Sequence, residues 1–139
     1  MNQLFDLRGK TALVTGSGGG LGFTIARGLA QAGASVVLNG RNQDKLAHAT
    51  QALTADGLSA WDCAFDVTHE QQVCAGIEQI VQRAGAIDVL VNNAGITRRG
   101  ALVDLDVTDW DAVISTNLTA PFLVCLLYTS DAADEVSPV

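Results

Sequence analysis

The feature that most restricts the fold of this chain is a glycine cluster directly after a short apolar run near its beginning. Residues 11–14 read TALV, and residues 15–22 read TGSGGGLG. An apolar strand that ends in glycines and leads into a helix brings backbone N–H groups close to a phosphate at the positive end of that helix. The spacing T-G-x-x-x-G-x-G therefore predicts a phosphate-binding turn, although a glycine cluster alone is also compatible with a merely flexible turn.

The pattern of an apolar strand followed by an amphipathic helix repeats along the chain. It predicts strands at residues 10–15, 35–39, 59–65 and 87–91 and helices at residues 21–32, 42–55 and 70–84. Asn42 is the expected N-cap of the second helix. Serial βα units predict an α/β fold, a Rossmann-type doubly wound parallel sheet truncated after about four βα units. The expected strand order, 3-2-1-4, leaves the fourth strand as an open edge.

The composition opposes several classes of function. Eight basic residues against fifteen acidic ones give a net charge of −7, which disfavours binding to nucleic acid. Cys63, Cys74 and Cys125 form no CxxC pair, and His48 and His69 have no ligand-spaced partners, so neither a disulfide framework nor a metal site is expected. We also expect no signal peptide and no apolar stretch of about 18 residues, which indicates a soluble, cytoplasmic protein without a membrane partner.

Two glycine-containing motifs together resemble those of one family. T-G-x-x-x-G-x-G at residues 15–22, with NNAG at residues 92–95, resembles the short-chain dehydrogenase/reductase family, and the resemblance extends over residues 4–124. It implies an oxidoreductase that transfers hydride between a nicotinamide cofactor and a hydroxyl or ketone substrate. It also implies a set of cofactor-binding residues: Gly16, Ser17, Gly18, Gly20, Leu21, Gly22, Asp66, Val67, Asn93, Ala94 and Gly95.

The resemblance divides these contacts by their position in the chain. The glycine turn surrounds the diphosphate, Asp66 and Val67 contact the adenine, and residues 93–95 approach the cofactor after the fourth strand. Asp66 has an alternative interpretation as a turn residue or a helix N-terminal acid. The NNAG segment has the alternative of a turn that only stabilises the sheet.

The end of the second strand predicts which nicotinamide cofactor is used. Residues 38–41 read LNGR, so this position has no acid to bind the adenosine ribose of NAD. Arg41 offers a planar cation that suits a 2′-phosphate, which favours NADP, with NAD as the alternative. The competing interpretation is that Arg41 is only a solvated cation at a helix start.

Asn117 matches one member of the Asn-Ser-Tyr-Lys catalytic group of the family. The resemblance implies that it organises a proton relay, whereas its structural alternative is a helix-interrupting or capping residue. Tyr128 is the only tyrosine, and the residue four positions later is Ala132 rather than lysine. Tyr128 is therefore not expected to be catalytic, and the chain is expected to lack the Ser, Tyr and Lys of the group.

The last fifteen residues depart from the family pattern. Residues 125–135 read CLLYTSDAADE and match, codon by codon, the translation of a transposase-type sequencing adapter. We therefore expect two parts, a dinucleotide-binding Rossmann domain at residues 1–124 and a non-native tail at residues 125–139. A genuine divergent C-terminus is the alternative. On the first interpretation the chain is an inactive fragment of a full-length protein that we expect to form a homo-oligomer.

Two segments bear on the substrate. Residues 2–10 and 93–99 are similar to those of the gluconate 5-dehydrogenases within the family. Arg98 or Arg99 is a candidate partner for the carboxylate of a sugar acid, with two solvated loop cations as the alternative. A 3-oxoacyl-carrier-protein reductase is the second candidate, and a non-catalytic dinucleotide-binding sensor or scaffold is a third candidate of a different class.

Overall fold

The computed structural model describes residues 3–134, which form a four-stranded parallel sheet with helices on both faces. The strands are β1 (Thr11–Val14), β2 (Ser35–Gly40), β3 (Ala60–Ala64) and β4 (Val89–Val91). Their order in the sheet is β3-β2-β1-β4, and all three pairings are parallel. The predicted α/β class, strand order and open edge at β4 are therefore confirmed.

Three helices connect the strands: α1 (Gly20–Gln31), α2 (Gln43–Ala55) and α3 (Glu70–Ala84). Their bounds agree with the predicted ranges to within one residue. Asn42 caps α2 as expected, because its side-chain oxygen accepts a hydrogen bond from the N–H of Lys45 at 3.0 Å.

Beyond β4 the chain is helical, although the periodicity of the sequence predicts no element there. A short 3₁₀ turn (Leu102–Asp104) precedes α4 (Val107–Ile114), and a π-helical turn (Ser115–Thr119) joins α4 directly to α5 (Ala120–Asp134). Asp106 caps α4 by accepting a hydrogen bond from the N–H of Thr108. The remaining residues of the predicted tail, 135–139, lie outside the described part of the chain.

Two apolar clusters lie on opposite faces of the sheet, because successive strand residues point to opposite sides. Leu13 and Val37 point to one face, where they pack with α3 and with Val124 of α5. Their neighbours along the strands, such as Val14 and Leu38, point to the other face and pack with α1 and α2. This arrangement buries all of β1 and the four central residues of β2, and it leaves the carboxyl ends of the strands at one edge of the molecule.

One prediction about the helical segment is wrong. Among the described residues, Val107–Thr129 forms a single helix with the length and mean hydropathy, 1.5, of a membrane span, judged by length and composition only. The expectation that no such stretch exists failed because residues 112–129 contain no charged side chain. Serine, threonine and asparagine interrupt the apolar residues without lowering the mean hydropathy enough to exclude a span. A core helix of a soluble protein can have the same length and mean hydropathy.

Candidate functional site

A cavity of about 440 Å³ lies at the carboxyl ends of the strands. This is the edge at which open parallel sheets bind their ligands. Each of the four strands is followed by residues that line the cavity, and α4 and the π-helical turn close one side. The lining residues are Gly16, Asn39, Gly40, Arg41, Phe65, Asp66, Val67, Thr68, Asn93, Ala94, Gly95, Ile96, Arg98, Ala112, Ser115 and Thr116.

The glycines of the turn after β1 are explained by the atoms that lie close to them and by their backbone conformation. Gly16 has a φ of +61°, and a methyl group placed on it would lie 2.8 Å from Cα of Ala94. A methyl group on Gly22 would meet the amide nitrogen of Asn93 and the carbonyl oxygen of Gly16. Gly20 has a φ of +57° with open space around it, so its requirement is conformational. Each of the three motif glycines is therefore required for its own reason.

Thr15 and Asn93 join the glycine turn to the segment after β4. The buried hydroxyl of Thr15 accepts hydrogen bonds from the backbone N–H groups of Asn93 and Ala94, each at 3.0 Å. The side-chain amide of Asn93 donates to the carbonyl oxygens of Thr15 at 3.1 Å and Gly16 at 3.0 Å. The Asn93 side chain thus stabilises the turn, which is the structural alternative for NNAG, while Ala94 and Gly95 present backbone to the cavity.

The predicted cofactor residues divide into those that line the cavity and those that do not. Those that line it are Gly16, Arg41, Asp66, Val67, Asn93, Ala94 and Gly95. Those that do not are Ser17, Gly18, Gly20, Leu21 and Gly22, and Asn117, which was predicted to be catalytic, does not line it either. Ser17 is fully buried, and its hydroxyl donates to the carbonyl of Val14 at 2.6 Å and accepts from the N–H of Asn39 at 3.0 Å. The Ser17 hydroxyl therefore stabilises the fold. Leu21, by contrast, is 70% exposed.

Asp66 lies at the end of β3 and organises the turn that leads into α3. One carboxylate oxygen accepts hydrogen bonds from the backbone N–H and the hydroxyl of Thr68, at 2.9 and 2.7 Å. The other oxygen lies 3.4 Å from Nδ1 of His69. Burial raises the pKa of Asp66, but the Thr68 hydrogen bonds and the nearby His69 and Arg41 outweigh it, so the net pKa is lowered. Asp66 is thus a turn residue that also lines the cavity.

Asn39 is a site residue that the sequence reasoning missed. Its side chain is buried, and Nδ2 donates to the carbonyl oxygens of Cys63 at 3.1 Å and Phe65 at 3.2 Å. Its Oδ1 has no hydrogen-bond partner among the described residues. Because Ser17 bonds to its backbone, Asn39 connects the glycine turn with the ends of β2 and β3. A polar residue at the end of the apolar run VVLN is the signal that could have identified it.

Asn117 lies in the π-helical turn and holds the loop after β4. Its Oδ1 accepts from the N–H of Ile96 and its Nδ2 donates to the carbonyl of Ile96, both at 2.8 Å. π-Helical turns often occur at functional sites. Here the turn places the Asn117 side chain against the backbone of Ile96. Asn117 does not line the cavity, but it holds a residue that does.

The arginines near the cavity have different surroundings. Arg98 lines the cavity and donates from Nε to Oδ1 of Asp109 at 3.2 Å, whereas Arg99 is exposed and is not part of the lining. Arg41 lines the cavity and forms no salt bridge with any described residue. Tyr128 is half-buried against the core beside α3 and is not part of the lining either. Arg41 is therefore the cation best placed for an anionic ligand.

Known proteins are similar to this chain over most of its length. The family model for short chain dehydrogenases matches residues 10–134. A gluconate 5-dehydrogenase of Gluconobacter oxydans is 49% identical over 122 residues, which cover 88% of this chain and 48% of that protein. A 5-keto-D-gluconate 5-reductase of Escherichia coli is 43% identical over 124 residues, or 89% of this chain and 49% of that protein.

A solved structure is similar as well. The crystal structure of a gluconate 5-dehydrogenase from Burkholderia cenocepacia, in complex with NADP and tartrate, has a TM-score of 0.86 and is 45% identical. The match covers 91% of this chain and 50% of that chain. The present chain thus spans about half the length of the curated relatives that it matches.

Proposed function

The chain belongs to the short-chain dehydrogenase family, and we propose that it is the cofactor-binding half of an NADP-dependent oxidoreductase that interconverts gluconate and 5-ketogluconate. The observation that carries this proposal is Arg41, a cation without a salt-bridge partner among the described residues, which follows β2 and lines the cavity where an acid would favour NAD. The relatives named above support the choice of substrate.

The residues present fit a dinucleotide. Gly16, Ala94 and Gly95 line the cavity with small residues, which allow the close approach of backbone that a diphosphate needs. When bound, the nicotinamide ring supplies or accepts the hydride. The residues of this chain bind and orient: Arg41 meets the 2′-phosphate, Asp66 and Val67 line the adenine side, and Asn117 fixes the loop that carries Ile96.

A binding measurement on this chain tests the cofactor. Replacing Arg41 by leucine should weaken NADP⁺ binding by about tenfold or more, because one charge-assisted contact is lost, while NAD⁺ binding should stay within about twofold. Arg27→Leu is the control, since Arg27 forms an exposed salt bridge with Asp56 on the helices instead of lining the cavity. Equal affinity of the unaltered chain for NAD⁺ and NADP⁺ would contradict the proposed preference.

Testing the substrate requires a longer protein that contains this sequence. We expect such a protein to oxidise NADPH with 5-ketogluconate and not with an acetoacetyl thioester. The reverse result would identify a 3-oxoacyl-carrier-protein reductase. NADPH binding without turnover of either compound would identify a non-catalytic binder. Because Arg98 lines the cavity, Arg98→Ala should raise the KM for the sugar acid with little change in NADPH affinity, whereas Arg99→Ala should change neither.

The same proposal includes a native sequence that ends near residue 124 and a chain that does not turn over by itself. Asn117 is the member of the family's catalytic group that the chain contains, and eleven consecutive residues from Cys125 match the adapter translation. Resequencing the gene from an adapter-free clone tests it, because the same codons in that clone would identify a genuine C-terminus. A cytoplasmic location also belongs to the proposal, and the unpaired thiols of Cys63, Cys74 and Cys125 support it.

A further inference from the structure

The side chain of Lys45 lies across the glycine turn. Lys45 is in the first turn of α2, and a methyl group placed on Gly18 would lie 3.5 Å from its Cγ and 3.6 Å from its Cδ. A methyl group on Gly19 would lie 3.2 Å from Cε and 3.5 Å from Nζ. The aliphatic stem therefore covers Gly18, and the ammonium group lies beside Gly19.

This contact gives a reason for the glycine at position 19. Gly19 has a φ of 177°, an extended conformation that any residue adopts, so its backbone does not require glycine. A side chain there would have to displace the end of Lys45 by a few tenths of an ångström or more. The missing side chain leaves room for the ammonium group to lie against the turn.

The ammonium group of Lys45 forms no salt bridge with any described residue, although the chain carries an excess of acids. It lies beside Gly19, the residue that precedes α1, and the first turn of α1 contains no acidic residue. The N-terminus of a helix carries positive partial charge, so the lysine repels it unless an anion lies between them. The hydrogen bond from the Lys45 N–H to Asn42 fixes the start of α2, from which the Lys45 side chain extends.

Arg41 lies between β2 and α2, and Lys45 lies in the first turn of α2. Arg41 lines the cavity, Lys45 lies over the adjacent glycine turn, and neither forms a salt bridge with a described residue. The two cations thus lie on neighbouring segments at the start of α2, and a phosphate monoester bound there could pair with both. A diphosphate at the glycine turn is the other anion that could use Lys45.

We propose that Lys45 is a second phosphate-binding residue, which contacts the 2′-phosphate of NADP together with Arg41 and so contributes to the discrimination against NAD. This inference rests on the proposed cofactor site and adds to it a residue that the glycine motif and the strand-end position do not identify. Because Lys45 lies over the glycine turn and Arg41 lines the cavity, substitution of each residue would test its own contribution to phosphate binding.

The chain offers a matched control, because Lys10 is its only other lysine. Lys10 lies 3.6 Å from Asp88 at the opposite, amino-terminal edge of the sheet. Lys45→Met keeps the stem over the glycine turn and removes the charge, Lys45→Arg keeps a charge, and Lys10→Met removes the same charge far from the cavity. Circular dichroism and the unfolding midpoint of each variant establish that it is folded.

The affinities of NADP⁺, NAD⁺, 2′,5′-ADP and 5′-AMP distinguish the outcomes. We expect Lys45→Met to weaken the binding of NADP⁺ and 2′,5′-ADP by about tenfold and to change the affinities for NAD⁺ and 5′-AMP by less than about twofold. The salt dependence of NADP⁺ binding should also decrease. Lys45→Arg should restore most of the NADP⁺ affinity, and Lys10→Met should change nothing.

Three results would overturn the inference. If Lys45→Met weakens the binding of NADP⁺ and of NAD⁺ equally, the lysine contacts the diphosphate that both cofactors share. If NADP⁺ binds tightly to the unaltered chain and equally well to Lys45→Met, Lys45 does not contact the cofactor, and the proposed function is unaffected. Absence of binding of any nucleotide by the unaltered, folded chain would contradict both the proposed function and this inference.

Discussion

Two regions of this molecule are equally rich in secondary structure and differ in how they are packed. Among the residues whose burial the structure describes, 4–129, the sheet region, residues 11–91, contains twenty of the 22 buried apolar residues. In the same range, the carboxyl-terminal region, residues 92–134, contains the other two, Ala120 and Val124, and seven of the ten large apolar side chains that are exposed. Regular backbone hydrogen bonding is therefore no sign of a core, since burial of apolar surface depends on what lies opposite each helix.

The difference follows from how each helix meets the sheet. Helices α1, α2 and α3 each lie between two strands in the chain, and each covers a sheet face with at least three buried residues. Helix α4 and the π-helical turn contain no buried residue, and α5 packs mainly along α3. A few polar contacts between Thr15, Gly16, Asn93 and Ala94 hold the cavity side of the carboxyl-terminal region to the sheet region.

The largest expected effect comes from truncating the same residue type in the two regions. Leu53→Ala, at a fully buried position of α2, should lower the free energy of unfolding by about 2–5 kcal/mol because it leaves a cavity. Leu118→Ala, at a position 65% exposed, should change it by less than about 0.5 kcal/mol. Urea unfolding followed by circular dichroism measures both. A loss at Leu118 as large as that at Leu53 would mean that the carboxyl-terminal region has a core of its own.

The next effect concerns the contact between the regions. Thr15→Val keeps the shape of the side chain but leaves the N–H of Ala94 without its acceptor and removes one of the two acceptors of the Asn93 N–H, so we expect a loss of about 1–3 kcal/mol. Thr24→Val is the matched control, because the hydroxyl of Thr24 is exposed and bonds only within α1. If the two variants unfold at the same urea concentration, the Thr15 hydroxyl does not join the regions.

A smaller and local effect is expected inside the carboxyl-terminal region. Asn117→Ala removes both side-chain hydrogen bonds to Ile96, so hydrogen exchange of the Ile96 amide should accelerate by about tenfold while global stability changes little. Asn117→Asp keeps the acceptor for the Ile96 N–H and should retain most of the protection. Unchanged exchange in Asn117→Ala would show that the loop after β4 is held by other contacts.

The smallest effect is the pH dependence of the turn after β3. The pKa of Asp66 is lowered in the folded chain, so its carboxylate stabilises the fold above the usual aspartate pKa, near 3.8. That contribution is lost as the pH falls through the lowered pKa. Unfolding midpoints at pH 6 and pH 3 should therefore differ less in Asp66→Asn than in the unaltered chain. Equal differences would mean that Asp66 has the same pKa folded and unfolded.

The sheet region could be predicted from the sequence to a large extent because its signals are local. The runs TALV and SVVLN identify buried parallel strands, the T-G-x-x-x-G-x-G spacing identifies the turn between β1 and α1, and the polar side chain of Asn42 identifies the start of α2. Each of these depends on neighbouring residues and on steric rules that hold in any chain.

The cavity could be predicted only in outline. Arg41 and Asp66 follow strands and are predicted to belong to the site, whereas Asn39 is not, because its contacts join segments that are distant in sequence. The position of Lys45 over the glycine turn is not predicted for the same reason. Ser17 shows the opposite case, since its place in the motif indicates a ligand contact and its hydroxyl instead bonds to Val14 and Asn39. A side chain's partner depends on which segment the fold brings beside it.

The sequence by itself determined the α/β class, the order of the first four strands, the edge at which the cavity forms and the glycine positions of its turn. These follow from periodicity and from backbone conformations that a residue either allows or forbids. Only the tertiary structure decided that Thr15 and Asn93 hold two regions together, that Asn117 holds the loop after β4, that Lys45 lies over Gly19, and that the helices after β4 remain largely exposed. Those features depend on contacts between segments that are distant in the sequence. Whether a group has a hydrogen-bond or salt-bridge partner depends on distances in space, which the spacing of residues along the chain does not give.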